Sequence, residues 1–353
     1  GEAAKEAIVE VTGLVDIEQD KDNLLYAADG GVIRIGGGSM KAAGDAKAVH
    51  LKNKGKALIN ATEDGDGLQA ASTERDAKIE GNVLLEGNGG VFGAALATKD
   101  SFLKGKIGGT GSGSTRLVLA KGAYWDNTSV GSGGDTIGKS HLTHLKSDGG
   151  SIYQNDAKDI TIDKFAGKAT LFYRHTNDGT DSAHYTAGDT HIKSAAADAE
   201  ITVATDQTNV DLTDDAKVYK TLDALAGKLY YDGYAHGEQT LKGKAMIAEG
   251  LTGSAVSQQM DLDYWLSNGR AHVKPKDTTP LTGETIKKQI AEGNFDTNDT
   301  KAYWKGKGVY DGKGNYTFHR DIKLEVKAAD KPVTSARDNK FGTIYWNGDV
   351  EGS

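Results

Sequence analysis

Short runs of alternating apolar and polar residues, most of them closed by glycine-rich corners, recur along most of this chain: GGVIRIGGG, GNVLLEGNGG, RLVLAKGAYW, DITIDKF and KATLFYRH are examples. Each run holds about 4–6 residues with a period of two, the signature of a β-strand. In Ile33-Arg34-Ile35 and Ile160-Thr161-Ile162 the apolar residues share one side and the polar residue takes the other. No helical stretch interrupts the runs before about residue 212. Doubly wound and (β/α)₈ folds need a helix in each crossover, so both classes are excluded.

Two all-β arrangements remain, and the corners separate them. In DITIDKFAGKATLFYRH (159–175) two apolar runs meet at Ala166-Gly167-Lys168, which lacks the Asn-Gly or Asp-Gly pair of a tight hairpin. A parallel β-solenoid needs such bends between the faces of one coil. Ile160, Ile162, Leu171 and Tyr173 would then point inward, and Thr161, Asp163, Phe172 and Arg174 outward. Strand centres near Ile33, Val49, Val83, Leu103 and Leu117 suggest coils of about 20–25 residues with variable loops. The alternative is an antiparallel sandwich or barrel in which the corner is an ordinary hairpin.

Composition supports many strands and sharp turns: the 353 residues include 47 Gly and only 3 Pro. Aromatic residues make up 7%, so small and β-branched side chains must fill the interior. There is no Cys, which excludes disulfide stapling and suits a chain exported unfolded through an oxidising compartment. The net charge of −8, without a basic run interleaved with aromatics, argues against a nucleic-acid partner. No stretch approaches the roughly 20 apolar residues of a membrane span, so direct membrane insertion is not expected. The opening GEAAKEAIVEV reads as an internal fragment.

The reading divides the chain into β coils over 1–212 and a continuation over 213–353 with short insertions. Residues 213–226 have Val218, Leu222 and Leu225 at helical spacing, Thr213 as N-cap and Gly227 past the end. Residues 282–293 repeat the idea with Ile286 and Ile290. A hairpin is expected around Asp311-Gly312-Lys313-Gly314, and GTIYWNGDV reads as the last strand.

The search for chemistry assigns no catalytic, cofactor or metal residue. GTGSGST (109–115) lacks the Gly-Lys-Thr/Ser ending of a phosphate loop. His141 and His144 would fall on opposite faces of a strand, and His175, His184 and His191 have no ligand spacing. Asp16, Glu18, Asp20 and Asp22, and Glu63 with Asp64 and Asp66, read as solvated acidic turns rather than calcium loops. Asp159, Asp163, Lys164, Arg174 and His175 would stand together in a groove if the chain were a polysaccharide lyase or hydrolase. Tyr124, Trp125, Tyr230, Tyr231, Tyr234, Trp265 and Trp304 are candidates to stack on sugar rings.

The blocks LTHLKSDGGSIYQNDAKDITIDKFAGKATLFYRHTNDG and YTAGDTHIKSAAADAEITVATDQTNVDL resemble passenger domains of type V autotransporter adhesins, of the haemagglutinin or self-associating kind. LDALAGKLYYDGYAHGEQTLKGKAMIAEGLTGSAVS is similar to a further passenger block. The resemblance covers about residues 142–260 and its motifs are structural, so it carries over no catalytic residue. It implies a right-handed parallel β-helix displayed outside the cell and anchored through an outer-membrane barrel that lies beyond this sequence. Expected partners are passengers on other cells, or a host glycan or protein. A passive stalk for a distal binding domain is a further reading.

Overall fold

The computed structural model describes residues 7–132, 136–174, 185–205, 215–236, 240–247, 258–265 and 268–273, together with five short strands between 309 and 352. The chain is mostly β, and most of its strands up to residue 247 fall into three ladders of parallel pairs. The first comprises Ile8–Val11, Val32–Ile35, Lys56–Ile59, Gly90–Leu96, Gly113–Leu119, the leading halves of Ser140–Gln154 and Ile160–Tyr173, Thr190–Ala195 and Leu229–Tyr231. The second takes in Val15–Gln19, Gly38–Ala42, Ala77–Glu80, Phe102–Lys104, Tyr124–Asn127, the trailing halves of the two long strands, Glu200–Thr205 and Lys242–Ile247. The third is shorter: Asn23–Ala28, Lys47–Lys52, Val83–Glu86 and Ile107–Gly109.

From residue 8 to residue 109 the chain visits the first, second and third ladders in turn and then returns to the first. Val32 lies opposite Ile8 and Lys56 opposite Val32, a spacing of 24 residues each time. The same spacing separates Lys78 from Phe102 and Val83 from Ile107. Insertions lengthen it without breaking the ladders. The hairpin of Ala61–Asp64 and Gly67–Ala70 separates Lys56 from its partner Val91. Helix α1 (Asp215–Ala226) separates Thr190 from Leu229 and Glu200 from Lys242.

Parallel registration places like positions of successive strands about 4.8 Å apart, so the core is built of rows. One interior row reads Met40, Ile79, Leu103, Trp125, Ile152, Leu171, Val203 and Ala245, each with at most 1% of its surface exposed. A row on the first ladder reads Ile35, Ile59, Ala94, Leu117, Leu145 and Phe165, all buried. Polar residues that enter the interior bond to one another. Ser140 Oγ donates to Asn127 Oδ1 at 2.7 Å, Asn127 Nδ2 donates to Gln154 Oε1 at 2.7 Å, and Tyr173 OH donates to the carbonyl of Gly188 at 2.8 Å. Trp125 Nε1 donates to the carbonyl of Gly105 at 2.9 Å.

The corner at Ala166-Gly167-Lys168 is a bend inside one continuous strand, Ile160–Tyr173. Residues before it pair with Thr190–Ala195 and residues after it with Glu200–Thr205, so the bend carries the chain from the first ladder to the second. Gly167 has φ +84, and a Cβ there would run into the carbonyl of Ser147. Ile160, Ile162, Leu171 and Tyr173 are fully buried, as expected. Thr161, Asp163 and Phe172 are half-buried and Arg174 is exposed.

Val218, Leu222 and Leu225 of α1 are buried, and the helix lies against the strands Lys242–Ile247 and Ala271–Val273. Asp223 accepts a hydrogen bond from the Val273 amide at 3.1 Å. At this end the pairing changes direction. Gln258–Tyr264 runs antiparallel to Lys242–Ile247, and Ala271–Val273 antiparallel to Gln258–Tyr264. The expected N-cap Thr213 and the segment 282–293 lie outside the described residues. Val309–Tyr310 and Tyr316–Phe318 pair as the expected hairpin, with its tip at 311–314 outside the described residues. GTIYWNGDV holds two strand segments rather than one: Ile344–Trp346 and the start of Val350–Gly352.

Truncating the interior row at Trp125→Ala is expected to cost about 3–5 kcal/mol in denaturant unfolding, because it removes a ring from between two fixed neighbours. Gly105 has φ +154, and a Cβ there would strike the carbonyl of Gly81. Gly105→Ala should therefore destabilise by more than about 1 kcal/mol, although it adds only a methyl group. A loss below a few tenths of a kcal/mol for either variant would contradict the stacked-row account.

Candidate functional site

Outward side chains also line up in rows, and two outer faces carry the chemistry. On the first ladder one row reads Arg34, Leu58, Gly93, Arg116, His144, Lys164 and Ser194. The 61–70 hairpin lies over this row. It turns at Gly65-Asp66, with Gly65 at φ +56, and packs Leu68 with Leu58, Ala61 and Ala95. Gly93 leaves room for it, since a Cβ there would approach Leu68 to 2.8 Å.

Arg116 holds the hairpin in place. Its Nη1 donates to the carbonyl of Gly67 at 2.9 Å, its Nε donates to Ser114 Oγ at 2.7 Å, and its Nη2 lies 3.6 Å from Glu63 Oε1. Glu63 also pairs with Lys56 at 2.7 Å. Beyond the hairpin a groove of about 410 Å³ runs across the strands, bordered by Asp64, Arg116, His144, Lys146, Lys164 and Ser194. His144 Nδ1 lies 3.2 Å from Thr143 Oγ1, and its buried Nε2 has no hydrogen-bond partner among the described residues. Burial, then the charges of Lys164 and Arg116, hold the His144 pKa below the usual imidazole value.

The neighbouring carboxylates are already engaged. Asp163 Oδ2 is 2.8 Å from His141 Nε2, and its Oδ1 is 2.9 Å from Lys193 Nζ. Burial works to raise the Asp163 pKa, but the hydrogen bonds from Lys193 and His141 outweigh it and hold the carboxyl below its ordinary value. Asp159 Oδ2 lies 3.6 Å from His191 and 3.7 Å from Lys139, and His191 stacks on Tyr230 with ring centres 4.7 Å apart.

Several sequence expectations meet this face. Asp159 and Asp163 lie four residues apart along one extended segment, roughly 13 Å at the strand rise. Paired glycosidase carboxylates stand about 5 to 9.5 Å apart. Arg174 follows the far end of the strand, on the second ladder, so it does not join them. His175 and His184 lie outside the described residues. His141 and His144 do not fall on opposite faces as expected. The chain bends between Leu142 and Leu145, which are both buried, and this resets the alternation so that both histidines face outward. They serve different partners, Asp163 and Thr143. Within GTGSGST the strand Ile107–Gly109 ends and the strand Gly113–Leu119 begins.

The second ladder presents a row of alternating charge: Glu18, Lys41, Glu80, Lys104 and Asp126. Glu18 and Lys41 stand 3.1 Å apart, and Glu80 and Lys104 3.8 Å apart. The hydrogen bond to Glu18 raises the Lys41 pKa. Beside this row Phe102, Tyr124, Tyr153 and Phe172 form a chain of four rings with successive centres 5.4, 5.4 and 5.3 Å apart. Most aromatics proposed to stack on sugars lie elsewhere. Trp125, Tyr231, Tyr234 and Trp265 are buried. Tyr124 and Tyr230 are half-buried, and Trp304 is outside the described residues. The acidic run begins in the exposed strand Val15–Gln19, where Glu18 belongs to the charge row rather than to a turn.

Comparison of the chain with family models, with curated proteins and with solved structures finds no significant match.

Glu80→Lys would put three lysines in consecutive places of the charge row. Its melting temperature should fall at low salt and recover as salt screens the repulsion. A drop that persists unchanged at high salt would rule out electrostatics as its cause. Arg116→Ala should release the 61–70 hairpin, making it cleavable by protease under conditions where the ladders stay intact. Unchanged cleavage would show that Leu68 packing alone holds it.

Proposed function

We propose that the chain is part of a bacterial cell-surface adhesin passenger, built as a right-handed parallel β-helix and acting without catalysis. In this reading the three ladders are the faces of the β-helix, and the side of the helix mediates aggregation, biofilm formation or attachment to host surfaces. The chain would be exported and anchored through an outer-membrane barrel lying beyond the sequence considered. The observation that carries the proposal is the alignment of outward side chains in rows that repeat from strand to strand, such as Glu18, Lys41, Glu80, Lys104 and Asp126. Weak polar contacts repeated along such a face add up when two copies lie side by side. The sequence resemblance over about residues 142–260 supports the same reading. So do the engaged carboxylates: Asp159 and Asp163 each face a histidine and a lysine, an arrangement that suits a binding surface better than a hydrolytic pair.

Sedimentation velocity over a range of concentrations and salt strengths, beside a cell-aggregation assay, tests the proposal. Self-association that weakens as salt rises is expected. A chain that stays monomeric throughout and binds neither cells nor glycans would refute it. Turnover of an anionic polysaccharide, lost on a single carboxylate change, would establish the enzyme instead.

A further inference from the structure

We infer that the groove beside the 61–70 hairpin is a binding site for one acidic group, carboxylate or sulfate, of an acidic saccharide, held between Lys164 and His144. This deepens the adhesin reading and rests on it for the idea that the side of the fold meets a ligand. Three observations converge on the groove. Its lining carries Arg116, Lys146 and Lys164 against the single carboxylate of Asp64, in a chain whose net charge is −8. The Lys164 ammonium is loosely held: among the described residues its one close carboxylate is Asp66 at 3.9 Å, with side-chain exposures of 62% and 90%. The His144 Nε2 is shielded from water without a partner among the described residues, a cost that an arriving acceptor would relieve.

Arg116 is not the ligand's partner, because its guanidinium is spent on Ser114, Gly67 and Glu63. It is a positioning residue that keeps the hairpin as the groove's rim. Nε2 is buried, so contact with it needs a local shift of the groove wall, while the exposed Lys164 side chain is free to follow the ligand. The strands under the groove spend their backbone groups on the ladders, so an extended peptide finds no free edge to join there. Val118, Ala166 and Ala196, with Ser194, leave a low apolar floor suited to the carbon face of a sugar ring.

The groups that face His144 are Arg116 from the preceding strand, Lys164 and Asp163 from the following one, and Asp66 from the hairpin, with Lys146 on its own strand. A bound anion offsets the two nearest cations, so His144 takes up a proton more readily in the complex. Affinity therefore rises as pH falls from about 8 to about 6, and the rise depends on the imidazole.

Calorimetric titration of the full chain tests the site. The probes are an oligouronate, a sulfated oligosaccharide of equal length, a neutral oligosaccharide and an acidic peptide. Binding of the oligouronate or the sulfated probe is expected, and the two arms tell carboxylate from sulfate. Lys164→Gln and His144→Gln should each weaken it about tenfold, the size of one charge-assisted hydrogen bond. His144→Gln should also remove the pH dependence. Lys99→Gln, in the turn before Phe102–Lys104 and matched in charge change, should stay within about twofold of the parent, and melting curves confirm that all variants fold. Binding unaltered in both groove variants, equal binding of the neutral probe or the peptide, or no binding of either acidic saccharide would each overturn the site. Salt-sensitive self-association measured on the same variants keeps the two proposals apart. If it persists while saccharide binding fails, only the groove is lost.

Discussion

Parallel backbone hydrogen bonding between strands one pass of the chain apart, 24 residues in the early passes, is the constraint on which the rest depends. Once that register is set, every side chain inherits a neighbour of the same position in the strands before and after it. Interior rows become continuous aliphatic stacks, and outer rows become lines of charge or rings. A residue's environment is then decided by a position that recurs along the chain rather than by its immediate sequence neighbours. Trp125 is buried because it continues a row that holds Leu103 before it and Ile152 after it.

Glycine makes that register attainable at the corners. Gly81 and Gly105 occupy equivalent corners on neighbouring passes of the chain, both at positive φ; a Cβ at Gly105 would meet the Gly81 carbonyl, and one at Gly81 the Cβ atoms of Ala42 and Ala48. Neither corner has room for a side chain. Insertions enter at the corners for the same reason. The 61–70 hairpin and α1 leave the ladder and rejoin it in register, so they add surface without disturbing the core.

Strand content and the side on which each residue lies were legible in the sequence wherever alternation is strict, as in Ile160-Thr161-Ile162. The spacing was not. Ile33 and Leu117 belong to the first ladder, Val49 and Val83 to the third, and Leu103 to the second, so strand centres read in order mix three ladders and look irregular. The outward pairing of His141 with His144 was hidden because a bend between Leu142 and Leu145 resets the alternation, and no Gly or Pro marks it. The groove was hidden because Arg116, His144 and Lys164 are brought together by register alone, 28 and 20 residues apart in sequence. Phe102, Tyr124, Tyr153 and Phe172 are likewise visible only to a reader who already has the ladder.

The alternating charges of the second ladder bear on how such a stack assembles. Over the five strands from Val15–Gln19 to Tyr124–Asn127, in-register stacking sets each lysine of the row beside an acid. Skipping one pass would set Glu18 beside Glu80, or Lys41 beside Lys104. The row thereby favours the in-register stack over one slipped by a pass, by the modest amount that exposed ion pairs contribute, and at no cost to the interior.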